Sequence, residues 1–154
     1  MSTNSETTKG VEEIQAFRLF IERSQLLFDP LNVEKRNPPE PDLLCRHITD
    51  GPVAFELAKL CDSKIAKVIA AGPKARLDAF WTSDPSAEIV QKKLSKTYTT
   101  THPIELLVYS NGLLITPDDV IIPTITPIFK SHNGPYRRAW FMGEDTTCLI
   151  WEAS

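Results

Sequence analysis

The sequence predicts a single α/β (α+β) domain in which a mixed β-sheet is flanked by helices. Residues 11–28 carry apolar side chains at helical spacing, whereas the apolar runs at 43–48, 53–60 and 104–109 have the length of strands. Helical and strand-like segments in one chain are typical of helices packed on a sheet. Because 154 residues with 42% hydrophobic side chains suffice for one core, we expect a single domain over 11–154.

The N-terminal third begins with a polar stretch, 1–10, which we expect to be flexible. A helix is predicted over 11–28, since one face collects the apolar residues Ile14, Phe17, Ile21 and Phe28. Asp29 and Pro30 should end this helix because a residue before proline avoids helical geometry. The proline-rich segment 32–41 then predicts an extended connector.

A β-hairpin is predicted next, because the apolar runs 43–48 and 53–60 are separated only by a turn that contains Asp50 and Gly51. A helix over 63–71 follows, stopped by glycine and proline at 72 and 73. A further helix is predicted over 85–98. Its apolar face comprises Ala87, Val90, Leu94 and Tyr98.

The C-terminal third predicts a buried strand over 104–109 and a closing hairpin made of 136–142 and 146–151. Between them, 113–130 predicts a kinked or short helix, because prolines at 123 and 127 disfavour a regular one. The expected order is α-β-β-α-α-β-(α)-β-β.

Composition restricts the classes of function. No apolar run is long enough for a membrane helix, and the N-terminus does not resemble a secretory signal. The odd number of cysteines (Cys45, Cys61, Cys148) argues against a disulfide framework and favours the cytoplasm. The net charge is −3, but residues 59–96 contain eight basic and four acidic side chains, a local charge of +4. This basic region predicts contact with DNA or RNA, although a solvated helix surface explains it equally simply.

Two carboxylates carry the clearest chemical signal. Asp42 stands at the start of the first hairpin strand, and Glu56 lies within the second between Ala54 and Ala58. Antiparallel neighbours bring such positions together, and a carboxylate among apolar residues needs a partner. A divalent cation, Mg²⁺ or Mn²⁺, would suit Asp42 and Glu56 as metal ligands. The simpler alternatives are an exposed Glu56 or an ion pair with a lysine or arginine.

The arrangement resembles the PD-(D/E)XK nuclease superfamily, whose restriction-endonuclease-like core is a helix, a hairpin that carries the acids, a helix and a strand. The resemblance rests on Pro41-Asp42, on 55–58 (FELA), and on 89–98 (IVQKKLSKTY) leading into 104–109 (IELLVY). It covers about residues 12–110. It implies metal-dependent phosphodiester hydrolysis on nucleic acid.

One departure from the superfamily pattern concerns its lysine, since Ala58 stands two residues after Glu56 where the pattern has lysine. Lys59 should face the other side of a regular strand, and only a bulge would turn it back. The resemblance implies that the helix over 85–98 supplies the missing group, and Lys93 or Gln91 flanks its apolar face. Lys92 and Lys96 should point further outward.

The resemblance also implies a carboxylate from the first helix, for which Glu13 is the weaker candidate. A second hypothesis of another class is a non-catalytic protein-interaction domain on the same scaffold. In that hypothesis the acids are vestigial, and the apolar C-terminal segment binds a partner or forms a homodimer.

Overall fold

The computed structural model describes residues 2–60, 85–110, 116–132 and 134–153. Within these ranges the helices are α1 (Ser2–Ser24), α2 (Ser86–Leu94) and α3 (Asp118–Ser131). The strands are β1 (Phe28–Lys35), β2 (Leu43–His47), β3 (Gly51–Leu60), β4 (Ile104–Ser110), β5 (Arg138–Met142) and β6 (Thr147–Glu152). The predicted helix over 63–71 lies outside the described residues.

The six strands form one sheet in the order β1-β2-β3-β4-β5-β6. The β3/β4 and β4/β5 pairs are parallel, and the outer pairs on both sides are antiparallel. The sheet is therefore mixed, and the predicted α/β class and the two predicted hairpins are confirmed. No helix in the described part of the chain is long and apolar enough to cross a membrane.

One face of the sheet packs against α1. Phe17, Phe20 and Ile21 are buried on this helix and contact Phe55 and other inward residues of the strands. The helix starts ahead of the predicted position, so it includes 2–10, and it ends before the predicted limit at 28. The cause of the early end is local: Gln25 adopts a left-handed conformation, with φ of 58°.

The opposite face packs against α2 and α3. Val90 and Leu94 of α2 and Ile125 of α3 cover Ala54 and Ala58 of β3 together with the even-numbered residues of β4. Contrary to the expected kinked or short helix, α3 runs for 14 residues with Pro123 and Pro127 inside it. Burial of one residue per turn, Ile121, Ile125 and Phe129, offsets the hydrogen bonds that the prolines cannot make.

Strand β1 corrects the prediction of an extended connector over 32–41. Most of its side chains are exposed or half-buried, so the sequence lacks the apolar alternation of a strand. Its pairing with β2 is irregular between Phe28 and Val33, a stretch that contains Pro30. Proline is tolerated at such an edge position because the missing N–H would have faced solvent.

Candidate functional site

Asp42 and Glu56 meet where β3 runs past the start of β2. The β2/β3 register pairs Leu43 with Phe55, so Asp42 lies opposite Glu56. The main-chain N–H of Asp42 donates to Glu56 Oε1 at 3.0 Å, and the N–H of Leu57 donates to Asp42 Oδ2 at 3.0 Å. The hairpin thus brings the two predicted carboxylates together, each anchored by a main-chain hydrogen bond.

Lysines from the α2 region approach the second carboxylate. Glu56 is only 3% exposed, and its Oε2 accepts a hydrogen bond from Lys93 Nζ at 2.9 Å. Small neighbours on the same face, Ala54 and Ala58, leave room for this contact. Lys96 Nζ lies 3.5 Å from the same oxygen, although the sequence predicted that Lys96 points outward. The helix ends at Leu94 rather than 98, so the helical phase used for that prediction does not extend to Lys96.

A further lysine joins the first carboxylate to α1. Lys35 Nζ lies 2.9 Å from Glu13 Oε1 and 3.6 Å from Asp42 Oδ1. Its aliphatic stem passes over Gly10, where an added Cβ would lie 3.5 Å from Lys35 Cγ. Burial alone would lower the pKa of Lys35, but the hydrogen bond to Glu13 and the attraction of Asp42 outweigh it and raise that pKa. The Lys35 ammonium therefore stays protonated between the two carboxylates.

We call these residues together the acid–lysine cluster: Glu13, Lys35, Asp42, Glu56, Lys93 and Lys96. It extends from α1, across the edge of the sheet, to α2. Two of its lysines were not predicted as site residues. Lys35 was missed because β1 was not recognised, and Lys96 because the helix was extended too far. Glu13, the weaker candidate of the sequence, is buried within the cluster.

Two tyrosines close the cluster on the α2 side. The hydroxyl of Tyr136 donates to the main-chain oxygen of Lys93 at 3.0 Å and lies 2.8 Å from the hydroxyl of Tyr98. Burial, followed by the interactions with Tyr136 and Glu56, raises the pKa of Tyr98 well above its usual range. Tyr98 therefore stays protonated and supplies a neutral O–H beside the Glu56 carboxylate.

The other candidates of the sequence lie apart from this contact network. Gln91 is exposed, and in the described ranges no side-chain hydrogen bond joins it to Asp42 or Glu56. Lys59 faces the α1 side, where its ammonium lies 2.7 Å from Glu12. The β3/β4 pairing is continuous from 54 to 60, so no bulge turns Lys59 towards Glu56. Among the predicted residues, the structure brings together Asp42, Glu56 and Lys93, and Lys35 links Asp42 to the weaker candidate Glu13.

A cleft of about 300 Å³ adjoins the acid–lysine cluster beside the C-terminal half of β3. Its lining combines two members of the cluster, Glu13 and Lys93, with Lys9, Glu12, Leu57, Lys59, Ile89 and Tyr109. The lining therefore carries three lysines and two glutamates. In the described residues no three His, Cys, Asp or Glu side chains are arranged to hold a metal ion. Each carboxylate of the acid–lysine cluster, Glu13, Asp42 and Glu56, pairs with a lysine.

A second buried acid lies on the other face of the sheet. Glu105 of β4 accepts hydrogen bonds from Arg137 Nε at 2.7 Å, Arg138 Nη1 at 3.2 Å and Trp140 Nε1 at 2.7 Å. We call these four residues the arginine cluster. Arg138 also pairs with Glu152, and Arg137 Nη2 lies 3.7 Å from Asp50 Oδ2. The arginine cluster ties β4, β5 and β6 to the β2/β3 turn.

Comparison with known proteins identifies no family. The sequence matches no protein-family model, and neither a curated protein nor a solved structure matches the chain.

Proposed function

We propose that this protein hydrolyses phosphodiester bonds of nucleic acid with the help of a divalent cation, on a restriction-endonuclease-like core of the PD-(D/E)XK type. One observation carries the proposal: Lys93, from a helix, contacts the same Glu56 carboxylate that receives the Asp42 main-chain N–H. An acid pair at a hairpin edge with an ammonium group beside it has the components of metal-assisted phosphoryl chemistry.

The donor set fits a hard cation. Carboxylate oxygens are the ligands that Mg²⁺ and Mn²⁺ take, and Asp42 and Glu56 would hold the ion beside the cleft. When bound, the ion supplies a water of lowered pKa and neutralises phosphate charge. Lys93 would then turn its ammonium from Glu56 towards the phosphate. There it would stabilise the negative charge that grows in the transition state.

The surroundings of the cleft favour an anionic polymer as substrate. Lys9, Lys59 and Lys93 line it. Lys92 on α2 and Lys96 just after that helix add further positive charge nearby. Lysines around a cleft attract a phosphate backbone without reading its sequence. The basic region of the sequence, 59–96, includes Lys59, Lys92, Lys93 and Lys96, and its middle part lies outside the described residues.

Cleavage assays on single-stranded and double-stranded DNA and RNA, with Mg²⁺ or Mn²⁺, test the proposal. Lys93→Ala should lower the rate about 10²–10³-fold, the usual loss when one transition-state donor is removed. Asp42→Asn and Glu56→Gln should abolish cleavage. Lys130→Ala is the control, since Lys130 is an exposed lysine of α3 that does not line the cleft. Wild-type protein that cleaves none of these substrates would overturn the proposal.

One observation favours the second candidate, a non-catalytic protein-interaction domain. The carboxylates of the acid–lysine cluster already accept main-chain N–H groups and ammonium groups, and no buried side-chain polar atom in the described residues lacks a partner. A cluster that is complete without a ligand can be purely structural. Calorimetry with Mn²⁺ separates the candidates. Binding that Glu56→Gln removes supports hydrolysis, and no binding by the wild type supports the interaction domain.

A further inference from the structure

The position of Lys35 is unlike that of the lysines around Glu56. Its ammonium lies between carboxylates of two different elements, Glu13 of α1 and Asp42 before β2. Glu13 is almost fully buried, so its charge needs a cation close by. Lys35 supplies that cation from the edge strand β1. The lysine stem packs against α1 at Gly10, where an added Cβ would lie 3.5 Å from Lys35 Cγ, an ordinary contact distance.

The same two carboxylates would attract any other cation that reached the cleft. Asp42 Oδ2 is held by the Leu57 N–H, which leaves Oδ1 to face Lys35. The lysine side chain is 31% exposed, so the ammonium has a way out to solvent. A divalent ion on Asp42 would place two positive charges beside Glu13, where the ammonium places one.

Resting on the function proposed above, we propose that Lys35 is an internal competitor for the divalent cation, an autoinhibitory contact that must leave Asp42 before the ion binds. An ion on Asp42 would take the place of the ammonium beside Glu13, so the buried Glu13 charge stays compensated when Lys35 leaves. Departure of Lys35 without a replacement would leave a buried, unpaired charge. The resting state is therefore a closed, lysine-bound site.

Mn²⁺ titration by calorimetry tests this competition. Lys35→Met keeps the aliphatic stem over Gly10 and removes the charge. The dissociation constant for Mn²⁺ should therefore fall at least about tenfold relative to wild type. Lys59→Met is the matched control, because Lys59 lines the same cleft but pairs with Glu12. It should change the affinity far less. Adding Glu13→Gln to Lys35→Met should reverse the gain.

The outcomes separate this inference from the proposed function. Mn²⁺ binding by wild type that Lys35→Met leaves unchanged would overturn the competition and leave hydrolysis standing. Binding by Lys35→Met alone would support the competition and overturn a metal-dependent wild-type activity. Binding by neither protein would overturn both.

A measurement on the wild type keeps the inference falsifiable if Lys35→Met does not fold. In NMR spectra, titration with Mg²⁺ should shift the side-chain resonances of Lys35 more than those of Lys59, since only the former has to leave its carboxylate. Equal small shifts at saturating Mg²⁺ would overturn the competition.

Discussion

The two buried acids of the central strands differ in the cations that hold them. Glu56 of β3 is 3% exposed and contacts Lys93 and Lys96, whereas Glu105 of β4 is 1% exposed and contacts two arginines and a tryptophan. The strands are neighbours, yet the carboxylates face opposite sides of the sheet. The difference lies in the chemistry of the partners, because burial is nearly the same.

Arginine and lysine fix a carboxylate to different degrees. The guanidinium is planar and always charged, so Arg137 presents two nitrogens to Glu105 Oε2 in a rigid fork. An ammonium is a point charge on a flexible stem and exchanges partners readily. The arginine cluster therefore holds strands together, and the acid–lysine cluster can be rearranged by a ligand. This contrast supports a functional assignment for Glu56 rather than Glu105.

The largest expected effect is on Glu105. Glu105→Gln should lower the free energy of unfolding by about 3 kcal/mol, since it leaves two guanidinium groups beside a neutral amide. Thermal or denaturant unfolding measures the change. Glu152→Gln is the control, because this partner of Arg138 is 52% exposed and should cost less than about 1 kcal/mol. A loss at Glu105 no larger than that of the control would refute a structural role for the arginine cluster.

Glu56→Gln should lower the free energy of unfolding by less than Glu105→Gln, by about 1–2 kcal/mol. This is the usual cost when buried hydrogen-bond donors lose a charged acceptor. Lys96 is 49% exposed and can turn to water, which limits the loss. Chemical denaturation of this variant and of Glu105→Gln under the same conditions gives the ranking. A larger loss for Glu56→Gln than for Glu105→Gln would contradict the comparison, because Glu56 would then be the more important carboxylate for stability.

Exchange of the cation types sharpens the comparison. Arg137→Lys should lower the free energy of unfolding by about 1 kcal/mol, because a lysine cannot reproduce the fork on Glu105. Lys93→Arg should cost less, about 0.5 kcal/mol or below, since one ammonium contact is replaced by a longer charged group. Thermal unfolding of the two variants measures the difference. Equal losses of stability for Arg137→Lys and Lys93→Arg would indicate that both carboxylates need a specific partner geometry.

The smallest effect concerns alkaline pH. The pKa values of Lys35 and Tyr98 are raised in the folded protein, so their contributions are present below about pH 10 and are lost as the pH rises further. Stability should therefore fall above about pH 10. Burial raises the pKa values of Tyr109 and Tyr136 as well, and Tyr98→Phe should reduce the slope by removing one of these groups. The arginine cluster should not contribute to it, because guanidinium groups stay charged in this range. Denaturant midpoints from pH 8 to 11 provide the measurement, and an unaltered slope in Tyr98→Phe would contradict it.

Part of this arrangement follows from the sequence. The Asp-Gly turn and its two apolar runs predict the β2/β3 hairpin and hence the meeting of Asp42 with Glu56. Helical phase at Val90 and Leu94 predicts that Lys93 or Gln91 flanks the apolar face, and in the structure Lys93 is the one that contacts Glu56. These features depend on local periodicity and on neighbouring segments, which a sequence displays directly.

The rest depends on contacts that no local pattern encodes. Strand β1 is polar and pairs irregularly, so neither alternation nor continuity marks it, and Lys35 was missed with it. The carbonyl of Leu94 approaches Gly134 from a distant segment, where a Cβ would lie 2.9 Å from that oxygen. Such close approaches are set by packing between elements, and a single sequence does not reveal them.

The irregular stretch of β1 has a consequence for behaviour at high concentration. An edge strand with free N–H and C=O groups is a template on which further chains can add as strands. Here Pro30 has no N–H, its carbonyl accepts a hydrogen bond from Arg18 at 3.0 Å, and the N–H of Leu31 donates to Asp29 Oδ1 at 3.0 Å. Main-chain groups of two consecutive edge positions, Pro30 and Leu31, are thus withdrawn from pairing. The β1 edge should resist fibril growth and domain swapping even though an exposed leucine lies on it.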